Sequence, residues 1–252
     1  MISGIESLIK EKPFVLLDGC AIDRVCWFWE QGYEARRYSD LEVEPIYKNL
    51  QNIQEIKRLF QYESLHTVSG IVEELSKFQK ILRDKIKWLN EKEEYFKPNE
   101  GREYIHPQEL KETISSLNLN YIHILNKLSR RICDNSSSEF QELFGQVKSI
   151  AIKSNLKRYQ GEKYGRLPKS KEELNNNTAD EELVAHAFYS SLRNIPSTII
   201  TADGDIPRIV KAVQLSLDDG YLLEKIHNSA PIEVYHVRNT TLEQRFVSAE
   251  FV

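Results

Sequence analysis

The stretch Ser197-Thr198-Ile199-Ile200-Thr201-Ala202-Asp203-Gly204-Asp205 constrains the fold more than any other part of the chain. Its β-branched run reads as a buried strand, and it ends abruptly in two carboxylates separated by one glycine. In an open parallel sheet the functional groups collect in the crevice beyond the carboxyl ends of the strands, so Asp203 and Asp205 are expected at that mouth. Near the start, Pro13-Phe14-Val15-Leu16-Leu17-Asp18-Gly19 repeats the same grammar. Two apolar strands that both end in Asp-Gly predict one shared site.

The remaining chain supplies the helices such a sheet needs. A leading helix over residues 1–11 is closed by Pro13. Residues 21–30 carry an apolar cluster that fits a helix packed on a sheet. Past Pro45, the residues Ile46, Leu50, Ile53, Ile56 and Leu59 recur at helical spacing. Residues 64–68 read as a short strand, and Ser69 is placed to cap a helix with Val72, Leu75, Phe78 and Leu82 on one face. A loop is expected between residues 95 and 107. Two helical stripes follow, Leu110 to Ile132 and Phe140 to Ala151, separated by a turn and cap at residues 134–138. Thr178 is a candidate cap for a helix over residues 179–193 that turns Leu183, Val184, Ala187, Phe188 and Leu192 inward. After Pro207 come a helix over residues 208–217, an alternating strand at 232–237 and a last strand near 245–252 that covers an edge. This alternation predicts an α/β fold, three-layer α/β/α with a central, mainly parallel sheet.

With 252 residues and 40% hydrophobic content the chain buries a substantial core as one domain. Its three cysteines lack metal-ligand spacing, which points to packing residues in a reducing, cytoplasmic interior. No window approaches the about 18 apolar residues of a membrane span, so no membrane association is expected. A net charge of −4 excludes the whole molecule as an electrostatic trap for nucleic acid; such a role needs a local patch. Residues 148–171 provide one, with eight basic residues against Glu162 alone. Lys153, Lys157, Arg158, Lys163 and Arg166 lie in it, beside Tyr159 and Tyr164. The stretch reads either as a solvated loop or as a phosphate-binding connector, and the two tyrosines suit stacking on unpaired bases.

The acids at strand ends and helix starts are Asp18, Glu73 or Glu74, Asp180 with Glu181, Asp203 and Asp205. Carboxylates forced together repel one another unless a cation lies between them. Oxygen-only donor sets suit hard divalent ions such as Mg²⁺ or Mn²⁺, which activate water for in-line phosphoryl displacement. Taken singly, the helix-start acids have a structural role at the positive end of a helix dipole. Their combination on four separate elements carries the chemical reading. The six histidines share no ligand spacing, and His186 reads as a packed or surface residue.

In this order, strand-Asp (Phe14 to Asp18), strand-helix with Glu-Leu (Val68 to Glu74-Leu75), helix-start Asp (Thr178-Ala179-Asp180) and strand-Thr-x-Asp-x-Asp (Ile199 to Asp205), the chain resembles the PIN domain family. The resemblance covers about residues 13–78 and 178–237. It implies a metal-dependent ribonuclease, with Asp18, Glu74, Asp180 and Asp203 as catalytic metal ligands for Mg²⁺ or Mn²⁺. Asp205 is then a supporting acid, and Thr201 the small polar residue before the acidic pair. Glu74 is preferred to Glu73 because the family's acid directly precedes an apolar residue. Cys20 stands where the family often carries Asn or Ser. Residues 79–177 read as a helical insertion with a basic connector that guides the RNA substrate. The alternative is a catalytically inactive PIN-like module that binds RNA, or a protein partner through the insertion. Monomer and oligomer are both compatible with the sequence.

Overall fold

The computed structural model describes residues 2–26, 43–92, 107–153, 178–216, 229–238 and 241–247. Five strands form one sheet in the order β2-β1-β3-β4-β5. They are β1 (Phe14–Leu17), β2 (Leu65–His66), β3 (Ser197–Thr201), β4 (Ile232–Arg238) and β5 (Thr241–Val247). The pairs β1–β2, β1–β3 and β3–β4 are parallel, and β5 closes the far edge antiparallel to β4. Every residue of β3 is buried, as expected of a strand covered on both faces of a parallel sheet. Helices flank this sheet to give the expected three-layer α/β/α architecture.

The helices are α1 (Ile2–Glu11), α2 (Gly19–Cys26), α3 (Val43–Leu59), α4 (Ser69–Lys92), α5 (Pro107–Ser129), α6 (Ser138–Lys153), α7 (Ala179–Leu192) and α8 (Asp205–Leu215). Most match their sequence patterns, and the departures have physical causes. β2 pairs regularly over two residues only, because Thr67 changes partner. Its N–H donates to the Arg131 carbonyl (3.0 Å) and its carbonyl accepts from the Cys133 N–H (2.9 Å). Helix α8 starts at Asp205, three residues before the predicted start. Pro207 is tolerated in its first turn, where the missing N–H has no intrahelical acceptor to serve. Thr178 makes no side-chain cap on α7, whereas Ser137 caps α6 by accepting the Phe140 N–H (3.1 Å). β5 begins at Thr241; residues 248–252 of the predicted last strand, the predicted loop at 95–106 and residues 27–30 lie outside the described residues.

The helices between Glu74 and Asp180 are integral to the core. α5 packs on α3 and α4, and the buried Tyr121 hydroxyl donates to the Leu75 carbonyl (2.8 Å). α6 packs on α7 and α8 through Phe140, Leu143, Val147 and Ile150. Consequently α7 is buried nearly all round, well beyond the inward stripe predicted for it. Among its covered residues is His186, whose ring stacks on Phe140 at 4.0 Å. Burial lowers its pKa to about 4 and keeps the imidazole neutral.

This sets an expected pH response. Because the folded pKa lies below the unfolded value of 6.5, the contribution of neutral His186 is complete above pH 6.5 and lost as pH falls toward 4. The loss amounts to about 3 kcal/mol at low pH. In His186→Leu, denaturant titrations between pH 7 and pH 4 are expected to show a correspondingly smaller decline.

Candidate functional site

Asp18 directly follows β1. Its N–H donates to the Ile200 carbonyl (3.0 Å), extending the ladder one residue past the strand, and its carbonyl accepts the Ala21 N–H (3.1 Å) as α2 begins. The backbone is therefore held on both sides. The carboxylate is 2% exposed, and Oδ2 accepts two hydrogen bonds, from Thr201 Oγ1 (2.6 Å) and Cys20 Sγ (2.7 Å). Thr201 Oγ1 also accepts the Asp203 N–H (2.8 Å), so one hydroxyl ties together the ends of β1 and β3. Asp203 Oδ1 in turn accepts the Asp205 N–H (2.8 Å), the local turn expected of an Asx residue before a helix.

Glu74 and Asp180 arrive from two helices, α4 and α7. α4 approaches the start of α2 at Gly19, where a Cβ would lie 3.4 Å from Ile71 and 3.8 Å from Glu74 Oε2. Glu74 thus stands beside the residue that follows Asp18. Asp180 is the second residue of α7, and α4 and α7 meet without a spacer. A Cβ on Gly70 would lie 2.8 Å from the Ala179 Cβ. Asp18, Glu74, Asp180 and Asp203 are brought together, all buried or half-buried at the carboxyl end of the parallel strands.

Their proximity is visible in their electrostatics. Burial pushes the Asp18 carboxyl up to about 6; hydrogen bonds from Cys20 and Thr201 resist this, while the charges of Asp203 and Glu74 add to it. Asp180 is held well above the ordinary range by burial and then by Asp18, Asp203, Glu181 and Glu74. Cys20 is pushed well above the ordinary thiol range by burial and by Asp18, Asp203 and Asp180, so it remains a protonated donor. The site is a crowd of carboxyl groups in a low-dielectric setting, where burial and mutual repulsion favour protonation and a divalent cation would offset both. The donors are carboxylate oxygens, the chemistry that Mg²⁺ and Mn²⁺ accept. Among the described residues, no three Asp, Glu, His or Cys side chains already stand in coordinating geometry. The acids converge as repelling charges rather than as a closed coordination shell.

The other expected residues are Asp205 and the basic residues of the connector. Asp205 is 6% exposed, and its Oδ1 accepts from Arg208 Nη1 (3.0 Å) on its own helix. This makes it the ion-pair partner at the start of α8. Lys153 is exposed at the last position of α6, and Lys157, Arg158, Lys163 and Arg166 lie outside the described residues.

Two neighbours of the acids gain roles that the sequence did not assign. Cys20 is a hydrogen-bond donor to Asp18 rather than a packing residue. His236 pairs in register with Thr201, hydrogen-bonds with the Ala202 backbone and senses the Asp203 charge; burial lowers its pKa. The alternating pattern of residues 232–237 contained the signal for His236, but its register against β3 was needed to read it. Among the described residues no helix is long and apolar enough to cross a membrane. Compared with known proteins, the chain matches no family model, and no curated protein or solved structure matches it significantly.

Proposed function

We propose that the protein is a PIN-like, divalent-metal-dependent ribonuclease that hydrolyses RNA phosphodiester bonds. The observation that carries this reading is the convergence of Asp18, Glu74, Asp180 and Asp203 from four elements at the carboxyl end of a parallel sheet. When bound, Mg²⁺ or Mn²⁺ supplies an activated water and neutralises charge on the scissile phosphate. The chain's own part is to hold the carboxylates. Thr201 and Cys20 fix Asp18 Oδ2, and the Asp205 N–H fixes Asp203 Oδ1. We place the activity in the cytoplasm, in keeping with the free thiols of Cys20 and Cys133.

The test is cleavage of a mixed RNA pool with Mn²⁺, comparing wild type with Asp203→Asn. The asparagine oxygen still accepts the Asp205 N–H, so the fold is retained while the charge is lost. Cleavage by wild type and none by the variant is the expected result; equal cleavage by both removes the mechanism. The alternative reading is a catalytically inactive PIN-like module. It predicts RNA or protein binding without Mn²⁺-dependent cleavage.

The basic connector is proposed to draw RNA toward this negative pocket, since a polyanion needs positive charge to approach it. Charge reversal of Lys157, Arg158 and Lys163 together is expected to weaken RNA binding and flatten its salt dependence. Filter-binding titrations at two salt concentrations check this, and unchanged affinity and slope rule the connector out.

A further inference from the structure

Resting on the metal-site reading above, we infer that Glu182 is a positioning residue that sets the approach of Glu74 to Asp180. Glu182 lies two residues beyond Asp180 on α7 and is 7% exposed. Its carboxylate is shared between two other segments. Ser69 Oγ lies 3.4 Å from each of its oxygens, and the Gly70 N–H donates to it at the start of α4. Asn135 Nδ2 reaches Oε1 at 3.4 Å from the segment joining α5 to α6.

A carboxylate at a helix N-terminus satisfies N–H groups that have no intrahelical acceptor and is favoured by the helix dipole. Here the carboxylate belongs to a different helix, so the cap also acts as a clamp. α4 carries Glu74 one turn beyond the clamped residues, and α7 carries Asp180 half a turn before them. The direct contact of Gly70 with Ala179 fixes the separation of the two helices at the same point, and Glu182 fixes their register. Two acids that repel one another are thus held together by a third, which lies on the same helix as Asp180 and reaches across to the helix that carries Glu74.

A purely electrostatic role for Glu182 is distinguishable from this one. Gln keeps an oxygen for Ser69 and the Gly70 N–H but removes the charge; Ala removes both. Mn²⁺ is titrated calorimetrically into the full chain under conditions where circular dichroism shows each variant folded. Glu182→Ala is expected to weaken binding about tenfold or more, as for loss of a partner outside the ligand set, while Glu182→Gln stays within about twofold of wild type. In parallel cleavage assays Glu182→Ala lowers kcat and leaves KM for RNA unchanged.

Wild-type binding by Glu182→Ala, or equal losses in both variants, overturns the positioning role. If Glu182→Ala does not fold, the Ser69→Ala/Asn135→Ala pair removes two of the donors. That pair must weaken Mn²⁺ binding, and wild-type affinity in it overturns the proposal. A wild-type chain that binds no Mn²⁺ overturns the metal-site reading itself, an outcome separate from variants that match a binding wild type.

Discussion

Asp18→Asn is expected to abolish RNA cleavage while making the metal-free protein harder to unfold. The two effects have one origin. The folded carboxyl titrates near 6 against an ordinary value of 3.8, chiefly because it is buried and also because Asp203 and Glu74 crowd it. A group whose folded pKa is raised favours the folded state fully below 3.8, and that advantage disappears as pH rises through 6. At neutral pH the ionised side chain therefore costs about 3 kcal/mol relative to its protonated form.

Asparagine is neutral at every pH, and its side-chain oxygen still accepts from Thr201 and Cys20 in the position of Oδ2. The variant is expected to gain about 1–3 kcal/mol at pH 7, seen as a rise of several degrees in Tm. The gain should vanish below the ordinary carboxylate pKa, where Asp18 is protonated in both states. Adding Mn²⁺ should reverse the order, because ligand binding to the native state stabilises wild type and the variant has lost a ligand. Cleavage should fall at least about a hundredfold, the scale of losing one charge-stabilising group at a reaction centre. Thermal scans across pH, with and without Mn²⁺, check each arm. An unchanged Tm at pH 7 contradicts the burial argument, and an unchanged Mn²⁺ response contradicts the ligand role.

Gly70→Ala should have the largest effect of a methyl group added at any described glycine. The new Cβ would lie 2.8 Å from the Ala179 Cβ and 3.2 Å from its Cα, and neither is the far end of a flexible side chain. Relief requires α4 and α7 to move apart. Overpacking of this kind costs about 1–3 kcal/mol. The displacement also separates Glu74 from Asp180, so Mn²⁺ affinity and cleavage should fall together with Tm. Gly145 supplies the control. It lies in α6, a Cβ there meets nothing within 4 Å, and alanine has the higher helix propensity. Gly145→Ala is expected to raise stability by about 0.5–1 kcal/mol and leave activity untouched. Matching behaviour of the two variants would show that the α4–α7 contact tolerates a methyl group.

The strands that position the candidate site were legible because local chemistry specifies them. Phe14–Leu17 and Ser197–Thr201 are short apolar runs, four and five residues long, ended by Asp-Gly and Ala-Asp-Gly, and that shortness and β-branched or apolar content with turn residues at the end mark a buried strand. Boundaries set by tertiary contact were not legible. β2 stops at His66 because Thr67 bonds residues 131 and 133, more than sixty positions away. The helices between Glu74 and Asp180 read as an insertion, because their stripes are apolar on one face like any bundle helix. The contacts of α5 with α3 and α4 and of α6 with α7 and α8 show that they pack into the same core, which the stripes alone do not record.

By itself, the sequence determined the order of elements, the apolar strands and the acids at their ends, since these follow from periodicity and turn chemistry along a few residues. The tertiary structure decided which acids meet. Asp18, Glu74, Asp180 and Asp203 share one electrostatic neighbourhood, whereas Asp205, two residues from Asp203, pairs with Arg208. It also turned Cys20 from a packing residue into a donor to Asp18 and Glu182 into a bridge between α7 and α4. The physical reason is that burial and charge repulsion depend on what other elements bring within a few ångströms, and spacing along the chain carries no record of that.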